Sequence, residues 1–185
     1  MKTFDDLVNT EVNRIEVSRT LLSDDTAEFS PCGTYRYWLT RELGGDRPLV
    51  DCGLNPSTAT AEINDQTIRK NIGFARRWGC GRLVKTNAYG FRATDPNVMK
   101  RARKSGIDIV GPGNDAALLR AVELVRLTGG ILLVTWGAHI EPERQRELAR
   151  IFGDLAMCLG TNGDGSPRHP LYLKYETPLV PWRCP

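Results

Sequence analysis

Four short apolar runs recur along the chain, and each stops at a glycine or a polar turn. The first, in residues 48–58 (PLVDCGLNPST), halts at Gly53 and turns through Asn55-Pro56 into hydroxyl residues that suit a helix start. This pattern predicts a buried strand delivering an amide side chain to the rim of a parallel sheet. Residues 82–86 (RLVKT) predict the second parallel strand, with Asn87, Ala88 and Tyr89 at the same rim. Residues 130–136 (GILLVTW) form a continuous apolar run, as expected of a strand buried on both faces, and residues 157–160 give a short fourth strand. Residues 34–41 (TYRYWLTR) are rich in β-formers and predict a further strand at a sheet edge.

Helical spacing fills the intervals. Residues 67–78 carry Ile68, Ile72, Ala75 and Trp78 on one face, basic residues elsewhere and a GCG stop, with Asp65 placed to cap the start. Asn114 is the expected cap of a helix with Leu118, Leu119, Val122 and Val125 on one face. Residues 141–155 have Pro142 in the first turn and Leu148, Ile151, Phe152 and Leu155 inward. The basic segment 99–104 (MKRARK) fits helix or loop equally, and residues 4–22 suggest a helix packed on one side of the domain. The stretch 161–182 is too rich in Gly, Pro and polar residues for another packed helix. Strands alternating with crossover helices predict an α/β fold: a three-layer α/β/α sandwich around a short, mainly parallel four-stranded sheet. One domain is expected over residues 1–185, with its core at about 34–182.

Composition narrows the function classes. Hydrophobic residues at 41% and charged residues at 25% are ordinary globular usage, and 185 residues can bury a core without metal or disulfide staples. The net charge of +3 permits a polyanionic partner without requiring one. Five scattered cysteines without a C-x-x-C pair and only two histidines argue against a zinc or iron-sulfur site, so no metal and no cofactor are expected. No apolar run approaches the roughly 20 residues that span a bilayer, and the start is charged throughout. A cytoplasmic monomer without a membrane partner is the expectation.

Open α/β sheets bind ligands outside the carboxyl ends of their strands, which puts Asn55 and Asn87 where chemistry is done. The strand ends GLNPS, TNAY and TWGAH, followed by the terminal HPLYL, occur in an order that resembles the uracil-DNA glycosylase superfamily. Members carry a G-x-x-P loop, then an Asn, then a Gly turn, then an His-Pro loop. Residues 53–56 are similar to the first motif in its mismatch-specific form, Asn87 matches the base-reading Asn, and His169-Pro170 with Tyr172-Leu173 matches the last motif. The resemblance covers roughly residues 48–175. Ser57 stands where a Gly is usual, and the stacking aromatic normally found soon after the first motif is missing. The chain also resembles a bacterial family of unknown function that carries GLNPSTA, N-x-x-x-x-RATDP and RHPLYL.

The resemblance implies a monofunctional DNA glycosylase that hydrolyses the bond between a flipped, uracil-like or modified base and deoxyribose. Asn55 would then orient the attacking water and His169 would stabilise the departing base. Asn87 offers a donor and an acceptor to a base edge. Gly53, Pro56 and Ser57 would line the first motif, and Tyr172 the last. Asp65 is a second candidate water activator, with helix capping as its competing use. Tyr89 or Phe91 would stack on the base, unless they serve the core. Arg92, Lys100, Arg101, Arg103 and Lys104 would neutralise phosphates, unless they form a solvated face. DNA, single- or double-stranded, is the expected partner. A hydrolase of free modified nucleosides or nucleotides and a non-catalytic binding module on the same fold are the alternatives.

Overall fold

The computed structural model describes residues 26–57 and 64–185. The helix expected over residues 4–22 lies outside them. The described chain folds into one mixed sheet of seven strands: β1 (Ala27–Phe29), β2 (Arg36–Glu42), β3 (Pro48–Gly53), β4 (Arg82–Asn87), β5 (Ile131–Val134), β6 (Ala156–Cys158) and β7 (Val180–Pro181). Their order is β1-β2-β4-β3-β5-β6-β7. The four helices among the described residues are α1 (Gln66–Arg77), α2 (Pro96–Lys104), α3 (Asn114–Thr128) and α4 (Pro142–Phe152).

The sheet corrects the expected four-stranded, mainly parallel one. The four anticipated strands do run parallel as β4-β3-β5-β6, but β2 pairs antiparallel with β4 and β1 antiparallel with β2 on one side, and β7 pairs antiparallel with β6 on the other. The outermost additions have only three and two residues and are largely exposed, too short for any apolar period to register. β2 is accordingly an interior strand, buried along most of its length between β1 and β4, rather than an edge.

Helices cover both faces because the sheet grows in two directions from β3. The chain leaves β3 through α1 to reach β4 on one side, then crosses through α2 and α3 to reach β5 on the other. Right-handed crossovers in opposite directions put their helices on opposite faces. Two separate apolar clusters result. Ile68, Phe74 and Ala75 of α1 pack on Leu49, Leu83 and Leu133. Leu118, Val122 and Val125 of α3, with Leu148 and Phe152 of α4, pack on Val50, Val84 and Val134. Alternation along each strand then assigns Asp51, Lys85, Asn87 and Thr135 to the α1 face. The reversal of strand order at β3 also opens a crevice at the carboxyl edge, where ligands of open α/β sheets bind.

Asp65 caps α1 as expected, accepting a hydrogen bond from the Ile68 N–H at 2.8 Å. Residues 99–104 resolve as helix, in α2, capped by Asp95. Asn114 does not cap α3. It is the first helical residue, and its side-chain amide turns inward to donate to the Asn87 and Ala88 carbonyls at 3.1 Å each. That buried clamp ties the start of α3 to the end of β4, which fixes the backbone from which Asn87 projects.

Candidate active site

A cavity of about 530 Å³ opens at the carboxyl edge, above β3, β4 and β5. Gly53, Asn55, Ser57, Asp65, Asn87, His169 and Tyr172 all line it. Asn55, Asn87 and His169 reach it from three separate segments: the turn after β3, the end of β4 and the terminal loop.

Each of the three has a distinct state. The Asn55 amide nitrogen donates to the Ala93 carbonyl at 2.7 Å and the Pro56 carbonyl at 3.2 Å, which fixes the side chain by its donor end. Its oxygen meets no partner among the described residues. Asn87 is 1% exposed, yet neither its amide nitrogen nor its amide oxygen meets a partner among the described residues. Leaving both ends of a buried amide unpaired costs on the order of a few kcal/mol, which a ligand edge would recover. His169 Nδ1 accepts from the Leu171 N–H at 3.3 Å, so a neutral ring carries its proton on Nε2 as a donor. The residue is exposed overall, but the surrounding protein desolvates the ring and the nearby Lys85 charge adds to this. Together they outweigh Asp51 and Asp65 and hold the imidazole below its ordinary value of 6.5.

Asp65 is engaged twice. Besides capping α1, it accepts from the Ser57 hydroxyl at 2.5 Å. Burial opposes its ionisation, but those hydrogen bonds and the Lys85 and Arg36 charges prevail, so it titrates below its ordinary 3.8. It is a carboxylate at neutral pH, and a weak base. Pro56 is buried, and its carbonyl anchors the Ala93 N–H at 3.0 Å.

Three residues expected in the cleft are used elsewhere. Tyr89 is buried with its hydroxyl accepting from the Glu141 N–H at 3.2 Å, and burial pushes it up to about 12. Phe91 packs edge-on against Tyr35, with ring centroids 6.3 Å apart. Arg92 donates to the Gly33 carbonyl and stacks over Phe29. The exposed aromatic at the cleft is instead Tyr172, 90% exposed and free to cover a flat ligand.

The structure adds residues that strand patterning did not single out. Arg36 and Trp136 line the cleft, and so does Lys85, whose ammonium lies 2.5 Å from the carboxylate of Asp51. Asp51 is wholly buried, accepts from the Thr135 hydroxyl at 2.5 Å and also takes a short hydrogen bond from the Asn71 amide. Asp51 and Lys85 are directly opposed in the parallel register of β3 and β4. The available signal was their common offset, each two residues before the strand end that carries Gly53 or Asn87.

A second cavity of about 600 Å³ adjoins the first, with His139 in the lining of both. Lys100, Arg101, Arg103 and Lys104 of α2 line it together with Glu141, which pairs with Arg103. Among the described residues, no group of three His, Cys, Asp or Glu side chains is placed to hold a metal ion, and no helix is long and apolar enough to cross a membrane.

Fold and cleft together define an α/β protein with a part-buried crevice at the carboxyl edge of its sheet. Residues 36–171 match the family described as protein of unknown function DUF1643, and the chain belongs to that family. No curated protein and no solved structure matches it.

Proposed function

We propose that the chain is a monofunctional base-excising N-glycosidase with a uracil-DNA glycosylase-like α/β/α fold. It hydrolyses the bond between a flipped base and deoxyribose without a cofactor. The observation that carries this reading is the meeting, over one cleft, of the Asn55 amide oxygen and the buried Asn87 amide, neither of which meets a partner among the described residues, with His169 and its lowered titration point. These are the three groups such a reaction needs. Asn87 reads the edge of the base. Asn55 holds a water below the sugar, and because it cannot take the proton, the reaction suits bases that already leave readily. His169 donates from Nε2 to the oxygen on which charge develops, a neutral donor sufficing. Tyr172 covers the face of the base in place of the stacking aromatic that the first motif lacks.

DNA is the proposed partner because the basic groove of α2 adjoins the cleft. A hydrolase of free modified nucleosides is the second reading, favoured by the small net charge of +3. Salt separates them. A protein that neutralises several phosphates loses affinity steeply as salt rises, whereas nucleoside affinity hardly changes. The reading is tested by incubating the protein with single- and double-stranded oligonucleotides and free nucleosides bearing uracil, mismatched thymine, hypoxanthine or hypermodified bases. Mass spectrometry then detects free base. Release from an oligonucleotide, with a steep salt response of binding, is the expected result.

A further inference from the structure

Lys85 is held from below the cleft, by a buried carboxylate. Its ammonium pairs with Asp51, and Thr135 and Asn71 pin that carboxylate in turn, so the nitrogen has little freedom to move. An ammonium has three donors and no acceptor. Asp51 is its single hydrogen-bond partner among the described residues, and the other donors are left for whatever occupies the cleft that Lys85 lines.

The neighbouring Asn87 cannot by itself distinguish ligands. Because neither of its amide atoms is engaged among the described residues, the group can rotate by a half-turn at no cost in hydrogen bonds to them. One orientation meets a carbonyl oxygen beside a ring N–H, and the other meets an amino group beside a bare ring nitrogen. Gly53 decides where both residues look. A Cβ built on it would collide with Lys85 Nζ and stand 3.4 Å from Asn87 Oδ1, so the ammonium fills the space beside the glycine and the Asn87 amide lies next to it at the cleft. A ligand edge held by Asn87 therefore meets a neighbour that only donates.

We propose that Lys85 sets the specificity of this cleft, selecting bases whose edge carries a carbonyl oxygen next to a ring N–H (the lactam edge of uracil, thymine and hypoxanthine) over the amino bases cytosine and adenine. This rests on the reading that the cleft receives a nucleobase. A carbonyl accepts from Lys85 while Asn87 takes the adjoining N–H. An amino group would set donor against donor beside a fixed positive charge, and leaving such groups unpaired is how a polar site rejects a near-isostere.

Calorimetric binding of deoxyuridine, deoxyinosine, deoxycytidine and deoxyadenosine to the full chain tests this. The lactam nucleosides should bind about tenfold or more tightly than their amino counterparts. The double variant Asp51→Asn/Lys85→Met, chosen because it strands no buried charge, should bring that ratio close to one. Should the double variant fail to fold, 4-thiodeoxyuridine asks the same question of the unaltered protein. It keeps the ring N–H but offers a weaker acceptor, and should bind more weakly than deoxyuridine. Equal affinity of wild type for deoxyuridine and deoxycytidine, a ratio that survives in the folded double variant, 4-thiodeoxyuridine binding as well as deoxyuridine, or no binding of any nucleoside would each overturn the proposal. A lactam preference without base release from any oligonucleotide would overturn the excision reading alone.

Discussion

The ammonium of Lys85 occupies the space in which a side chain on Gly53 would begin, so the glycine ending β3 is there for room rather than for backbone freedom. Its φ is not among the positive ones, so conformation does not demand glycine at this position. A Gly53→Ala variant therefore tests the cleft and the pair beneath it together. The displaced atom is the ammonium that Asp51 holds, so the loss of stability in thermal unfolding should approach that of breaking the pair, about 3–5 kcal/mol. Lys85 is pushed off its seat, and nucleoside affinity should fall about tenfold. Wild-type affinity in the variant would show that the ammonium does not border the bound ligand.

The pair beneath the cleft is a stability prediction in its own right. Asp51→Ala leaves the Lys85 charge buried without its partner and should cost about 3–5 kcal/mol in urea unfolding. Asp51→Asn/Lys85→Met removes both charges and should cost less than half as much. Equal losses in the two variants would contradict the reading of Asp51 and Lys85 as a mutually dependent buried pair.

The parallel strands were legible in the sequence because each is a compact apolar run closed by a turn, and Asp65 was legible as a cap from its place before Ile68 and Ile72. The strand ends were legible too, and with them the convergence of Asn55, Asn87 and His169. Lys85 and Asp51 were not, since a single charge inside RLVKT or PLVDC reads as the polar partner of an alternating strand. Only register sets the two against each other. Asn114 misled for a related reason: a polar residue at a helix start is usually a cap, and nothing local shows that its amide is needed by the Asn87 and Ala88 carbonyls. Tyr89 and Phe91 stand beside the second motif in the sequence but pack elsewhere, whereas the exposed ring at the cleft is Tyr172.

His169 predicts a pH response of known sign. Its folded value lies below 6.5, so the ring is neutral at pH 7 and, with Nδ1 accepting from Leu171, carries its proton on Nε2. Single-turnover base release should be flat from neutral to mildly alkaline pH, whichever base is released. If stability follows the same group, its contribution is full above 6.5 and is lost as pH falls through the lowered folded value. Replacing His169 with Ala should slow release by about a hundredfold or more, most for poor leaving groups. An unchanged rate in the folded variant would remove His169 from the reaction.

Asp65 and Asn55 make opposite demands. Asp65→Ala removes a helix cap and should cost about 1 kcal/mol of stability while leaving most of the rate. Asn55→Ala should leave substrate binding nearly intact and cut single-turnover cleavage, because a positioned water counts in the transition state and little in the ground state. If Asp65→Ala abolishes cleavage in a folded protein while Asn55→Ala cleaves normally, the carboxylate activates the water.

On the proposed function, residues from three segments act together on one glycosidic bond. The most direct measurement is single-turnover release of free base from one oligonucleotide by the wild-type protein and by Asn55→Ala, Asn87→Ala and His169→Ala, each first shown to be folded by circular dichroism. The expected result is release by the wild type and a loss of about a hundredfold in each variant. Release at the wild-type rate by all three folded variants, or none from any oligonucleotide by the wild type, would contradict it.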